Sequence, residues 1–284
     1  MKKLAFDGTT IGHGFPVYFL RICEHQPLME PIEVRHCLSI QDYEECVRIE
    51  HVTWGEDISV PSAIFVVAQH TGGQVLGAFD RGKMVGFTLA IVGARHGAPF
   101  LHSHMTAVLP EYRNCGVGRQ LKLFQRQDAL QRGIEVIEWT FDPLRFRNAH
   151  FNLERLGAIA RRYLPDCYGV TTSPLHAGLP TDRLVAEWWL RSERVKSILA
   201  DNPLPTTGQI ARISLPSNME EIGAEDRDAA LRVQAEARAQ FVEWFGQGYA
   251  AAAVESSGGV TNYLLEPTQA IAGLRLPKVD ELSK

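Results

Sequence analysis

Apolar and polar residues alternate along Ile32-Glu33-Val34-Arg35-His36-Cys37, the period of two that marks a half-buried strand. Ser39 follows as a helix cap, with Asp42 three residues on in a variant of the capping-box spacing, and predicts a helix to about Trp54. Apolar runs at 75–79 and 83–92 flank Asp80-Arg81-Gly82-Lys83, a hairpin turn between two strands. Another strand is expected over 100–108, ended by Pro110. Over 116–132, Val117, Leu121, Phe124 and Leu130 recur at roughly helical spacing while Arg119, Lys122 and Arg126 face elsewhere, and Gly133 stops the helix. Val136 to Phe141 reads as a strand, Arg145 to Leu156 as a helix ended by Gly157, and a further strand runs into Tyr163.

Hairpins first and a strand–helix–strand crossover later predict an α/β (α+β) fold with a mixed sheet and helices on both faces. Residues 182–191 add a strand, and Asn202-Pro203-Leu204-Pro205 marks a boundary. Beyond it, a strand near 210–215, a helix from Asp226 to about Phe245 and strands near 249–254 and 261–265 form a C-terminal α/β extension. The expected organisation is a loosely structured leader over 1–31, a main domain over 32–195 and the extension over 196–284. The leader is no secretory signal, because Asp7, Gly8, Gly12, His13 and Gly14 interrupt its apolar residues.

At 45% hydrophobic and 22% charged residues, the 284-residue chain has a globular composition. Its net charge of −4 supplies no global field for nucleic acid or anionic membrane, so neither is an expected partner. No apolar run approaches the ~18 residues of a spanning helix. Five cysteines without a CxxC pair support neither a disulfide framework nor a thiolate zinc site. A reducing cytoplasm is the expected location, with no metal.

Against this background one segment departs from the average. Val108-Leu109-Pro110-Glu111-Tyr112-Arg113-Asn114-Cys115-Gly116-Val117-Gly118 joins a strand end to a helix start. Gly116 and Gly118 lack Cβ, so their backbone N–H groups can approach a ligand where a helix N-terminus favours an anion. Residues 113–132 hold five basic residues (Arg113, Arg119, Lys122, Arg126, Arg132) and one acid (Asp128), a local +4 that points to a polyanionic ligand. No GK[ST] follows and the dinucleotide fingerprint is absent, which argues against a nucleotide-hydrolysing loop.

Arg113-x-x-Gly116-x-Gly118, preceded by Val108, Pro110 and Tyr112, resembles the acyl-CoA-binding motif of the GNAT acyltransferase superfamily, and the element order from 32 to about 169 resembles its fold. The resemblance implies an acyl-CoA co-substrate, acetyl-CoA by default and succinyl-CoA as the alternative. Its pyrophosphate would lie on the loop formed by Arg113, Asn114, Cys115, Gly116, Val117, Gly118 and Arg119. The pantetheine arm would run between strands 100–108 and 136–141 that splay apart. A backbone N–H near Ala107 and Val108 would polarise the thioester carbonyl, and Asn148 would meet the pantetheine or adenosine side or else cap its helix.

Direct transfer to an amine needs a base, and His102 and His104 share one strand face. Counted back from Val108, they fall where one member of the family has its own His-x-His pair. The acid is open, because the tyrosine many members carry before the last glycine is Leu153 here. Tyr163 and Tyr168 are the nearby alternatives, and Glu138 is a minor candidate for a second base or an ammonium anchor. Trp188 is most simply core, with the wall of an acceptor pocket as the alternative. The implied function is N-acylation of a primary amine on a small molecule or amino acid through a ternary complex. The alternatives are a non-catalytic acyl-CoA-binding regulatory module, which Leu153 favours, and a protein N-acetyltransferase. A homodimer stays open as the oligomeric state.

Overall fold

A computed structural model describes residues 31–56, 59–95, 97–169, 179–202, 210–271 and 274. The expected leader, save Pro31, and the prolines of the 202–205 boundary lie outside the described residues. Two compact units emerge, one made of residues up to Val92 with Ser103–Asp128, the other of Gly93–His102 with everything from Ala129 on.

In the first unit, strand β1 (Glu33–His36) leads into helix α1 (Ile40–Trp54), and Ser39 caps it by accepting the Asp42 N–H. Helix α2 (Ser62–His70) is an addition to the predicted order. Its continuous run of Ala63, Ile64, Phe65, Val66, Val67 and Ala68 hides the helical period, and only Phe65 and Ala68, three apart, are buried. Strands β2 (Gln74–Asp80) and β3 (Lys83–Arg95) pair antiparallel through the expected turn. Arg81 and Gly82 both take positive φ, 49° and 79°, as a two-residue hairpin of matching twist requires. Strand β4 (Ala98–Val108) follows, and the unit's strands run in the order β1-β2-β3-β4. Helix α3 (Val117–Gln131) contributes Leu121 to a core with Ile49, Phe65 and Phe87.

The second unit begins where the first part of β4 pairs parallel with β5 (Val136–Phe141), through Leu101↔Ile137 and His102↔Glu138. The predicted 145–156 helix divides into α4 (Phe146–His150) and a π-helical turn over Phe151–Arg155. Strands β6 (Ile159–Leu164) and β7 (Arg183–Trp189) are followed by α5 (Glu193–Leu199) and β8 (Ala211–Pro216). Helices α6 (Met219–Glu225) and α7 (Arg227–Gly246) precede β9 (Tyr249–Ser257) and β10 (Val260–Pro267). The strand order here is β4-β5-β7-β6-β9-β10-β8. One parallel ladder among antiparallel ones makes the sheet mixed, and the fold is α/β as expected. Trp188 is fully buried, meets Trp139 edge to face and donates its indole N–H to the Leu156 carbonyl, so it is core and not a pocket wall.

Candidate active site

The loop after β4 is pinned from several sides. The Leu109 N–H bonds the Val85 carbonyl at 2.9 Å, the Tyr112 hydroxyl donates to Asp80 at 2.7 Å, and Arg113 Nε donates to the Val108 carbonyl at 3.0 Å. Asn114 and Gly116 take left-handed backbone, φ 61° and 80°, and turn the chain into α3. The Gly116 carbonyl then accepts from Gln120 N–H, so the N–H groups of the next residues lack an intrahelical acceptor. A Cβ on Gly116 would meet nothing within 4 Å, and one on Gly118 only Val108 Cγ2 at 3.9 Å. Open space above both glycines, at a helix N-terminus, is a cradle that an anionic group fits. Arg113 and Asn114 are exposed, Cys115 and Arg119 half-buried, and Ala107 and Val117 buried. Arg113 and Arg119 are the basic side chains nearest the cradle in the chain.

Lys122 departs from its expected outward position. It is 4% exposed and donates from Nζ to Ser103 Oγ at 2.7 Å and to Gln125 Oε1 at 3.1 Å. Burial lowers its pKa to about 7, which removes it from any surface field around the loop. Asp128 is buried as well, bonded to Gln74 Nε2 at 2.5 Å and to His36 Nε2 at 3.1 Å. The inward face of α3 is therefore polar as well as apolar.

On β4, Leu101, Ser103 and Met105 are buried while His102 is half-buried and His104 exposed, so the histidines share the opposite face. Although exposed, His104 has enough protein around it to disfavour its charged form, and its pKa falls below the ordinary histidine value. Glu138, in register with His102, is no base. Burial pushes its carboxyl up, but Arg95 at 2.7 Å and Arg162 at 2.8 Å outweigh that and hold it ionised. A register shift in β6 between Ala160 and Tyr163 brings consecutive Arg161 and Arg162 onto the two oxygens of Glu187. This Arg–Glu chain had no sequence signal, since it depends on β7 lying between β5 and β6.

The two tyrosines part company. Tyr163 stacks on Phe241, and its hydroxyl donates to Asp182 at 2.6 Å while Arg238 grips the same carboxylate. Burial first, then that bond, push its pKa far up, so its proton is committed to the core. Tyr168 is 47% exposed, with its hydroxyl 2.7 Å from Thr140 Oγ1 and the Arg183 guanidinium 5.5 Å from its ring centroid. Thr140 lies two residues from Glu138 on β5 and so shares its face. Asn148 is exposed inside α4, whose N-cap position is Arg145, so it caps nothing. Leu153 is fully buried. Among the described residues, no group of three or more His, Cys, Asp or Glu could hold a metal ion, and no helix is long and apolar enough to cross a membrane.

The fold is mixed α/β, and a glycine-opened helix N-terminus follows directly after a strand, a geometry that suits an anionic group. Residues 40–158 match the model of the acetyltransferase (GNAT) family. Acetyl-CoA is that family's co-substrate. Solved structures similar to the chain include the ribosomal-protein-S18-alanine N-acetyltransferase from Escherichia coli, 18% identical over 55% of this chain and 92% of that one, with a TM-score of 0.44. An N-acetyltransferase from Staphylococcus aureus Mu50 is 12% identical over 57% and 100%, with a TM-score of 0.46. An aminoglycoside acetyltransferase from an uncultured soil metagenomic sample, in complex with sisomicin, is 16% identical over 42% and 82%, with a TM-score of 0.38. No curated protein sequence matches the chain.

Proposed function

We propose that the protein transfers an acyl group, acetyl by default and succinyl as the alternative, from its CoA thioester to a primary amine of a small molecule or amino acid. The observation that carries the reading is the open cradle at Gly116 and Gly118 on the α3 N-terminus, inside the span that matches the GNAT family. Backbone N–H groups of 116–119, with Arg113, hold the pyrophosphate in this reading. When bound, acetyl-CoA supplies the activated acyl group. The backbone N–H at the Ala107–Val108 strand end stabilises negative charge on the carbonyl oxygen.

His104, with its neutral form favoured, takes the ammonium proton directly or through water, and His102 supports it from the same strand face. Tyr168 is the acid: its hydroxyl is exposed beside β5, whereas the Tyr163 proton is held by Asp182. The preference for a small acceptor rests on the C-terminal extension over 196–284, which is long enough to close over a small molecule, whereas a peptide acceptor needs an open groove. A non-catalytic CoA-binding module is the second reading, and the buried Leu153 in the usual tyrosine position favours it. Isothermal titration with acetyl-CoA, followed by thiol release across an amine panel, separates the two: binding with turnover supports the enzyme, binding without turnover the module.

A further inference from the structure

Every strand of the first unit gives a polar side chain to one largely buried seam, and those of β1, β2 and β4 meet α3 directly. His36 of β1 meets Asp128, whose other oxygen accepts from Gln74 of β2. Gln74 also donates to the Gln125 carbonyl, and Gln125 Oε1 accepts from Lys122 Nζ. Lys122 then donates to Ser103 of β4, whose Oγ lies 3.4 Å from Thr88 Oγ1 of β3. Thr88 in turn donates to the Met105 carbonyl and stands 2.8 Å from Thr106 Oγ1. Apolar residues would make the same contacts more cheaply, because a buried ammonium carries a large desolvation cost. What the polar seam adds is register: Lys122 reaches Ser103 only if α3 sits at one height over β4.

That height matters because each element carries half of the site. The anion cradle lies at the α3 N-terminus, five residues before Lys122, and Ser103 lies between the two histidines on β4. The β4–β5 ladder pairs Leu101 and His102, so from Ser103 onward the strand is held from within its own unit, by its pairing with β3 and by the side-chain bonds from Lys122 and Thr88.

We propose that Lys122 and Ser103 form a buried latch that sets the strand bearing the histidines at a fixed height relative to the anion loop, with Lys122 a positioning residue. The latch rests on the acyl-transfer reading above. Its loss leaves the loop intact, so CoA affinity is kept, while the base is displaced. A displacement of about 1 Å costs on the order of 100-fold in rate.

The test uses the full chain with Lys122→Met, Ser103→Ala and both together. Each is checked for folding by circular dichroism, then measured for acetyl-CoA affinity, kcat and amide exchange of residues 103–108. The expected result is CoA affinity within twofold of wild type, a kcat drop of about tenfold or more in each single variant, no further loss in the double variant, and at least tenfold faster exchange over 103–108. A folded Lys122→Met protein with kcat and exchange within twofold of wild type overturns the latch. If wild type itself neither binds CoA nor turns over, the acyl-transfer reading fails instead, and the exchange rates alone decide the latch. Should Lys122→Met not fold, Ser103→Ala, which removes the acceptor, decides: kcat and exchange within twofold of wild type overturn the latch, a tenfold loss of kcat at unchanged CoA affinity supports it.

Discussion

Replacing Lys122 by methionine removes an ammonium group that the fold encloses almost completely. Burial carries the Lys122 pKa from an ordinary 10.5 to about 7, and at about 1.36 kcal/mol per unit that shift is a folding cost of roughly 5 kcal/mol. Lost bonds to Ser103 and Gln125, worth about 1.5–3 kcal/mol each, offset much of the gain from removing the charge. The pH dependence, not the sign at one pH, therefore carries the information. Below pH 7 both folded and unfolded chains bind the proton, and the cost is complete. Between about 7 and 10.5 the unfolded chain keeps a proton that the folded chain has released, so wild-type stability rises with pH. Methionine has no proton to bind, so its stability relative to wild type falls by about 1.4 kcal/mol per pH unit over this window. Urea unfolding of both proteins at pH 7.5, 8.5 and 9.5 measures the difference. A difference that does not change across those three values would refute the buried-ammonium assignment.

At the anion loop, Gly116→Val forces a β-branched side chain into left-handed backbone at the mouth of the cradle, and calorimetry should show CoA affinity reduced by tenfold or more. Arg113→Ala removes one charge there and also the bond to the Val108 carbonyl, so it weakens CoA binding by a smaller factor. His102→Gln with His104→Gln lowers kcat/KM by roughly 10²–10⁴ near neutral pH, and the deficit shrinks in alkaline buffer where the amine arrives deprotonated. Because the protein around His104 lowers its pKa, the wild-type rate should already have lost its base-protonation limb by an ordinary histidine pKa. Tyr168→Phe lowers kcat by about tenfold or more without changing the melting temperature, whereas Tyr163→Phe does the reverse, costing about 1–3 kcal/mol of stability and little rate.

Much of the fold was legible wherever a local signal decided it. Ser39 capped its helix, Arg81 and Gly82 made the two-residue turn, and Val136–Phe141 formed a strand with the bounds its apolar run set. Helix α2 was missed because its six-residue apolar run carries no period, and Pro61 in the N-cap position offers no side-chain acceptor. The turn of the 113–118 loop into α3 was legible because glycines before a helix have a fixed physical meaning. Lys122 was misread for a different reason: amphipathic patterning assigns a lysine to water, and only the seam from β1 to β4 overrides it. Tyr163 and Tyr168, five residues apart, were indistinguishable until Asp182, Arg238 and Thr140 were brought beside them by the strand order.

The central claim, acyl transfer to a small amine at the loop of 113–119, meets its most direct test in one coupled assay. Acetyl-CoA is incubated with a panel of small amines, amino acids and short peptides, and released thiol and acylated product are quantified together for wild type and for Gly116→Val. The account predicts thiol release matched by an equal amount of N-acetylated small amine, with turnover at sub-saturating acetyl-CoA falling at least tenfold in the variant. Tight CoA binding with no product from any acceptor, or product from peptides alone, would contradict it.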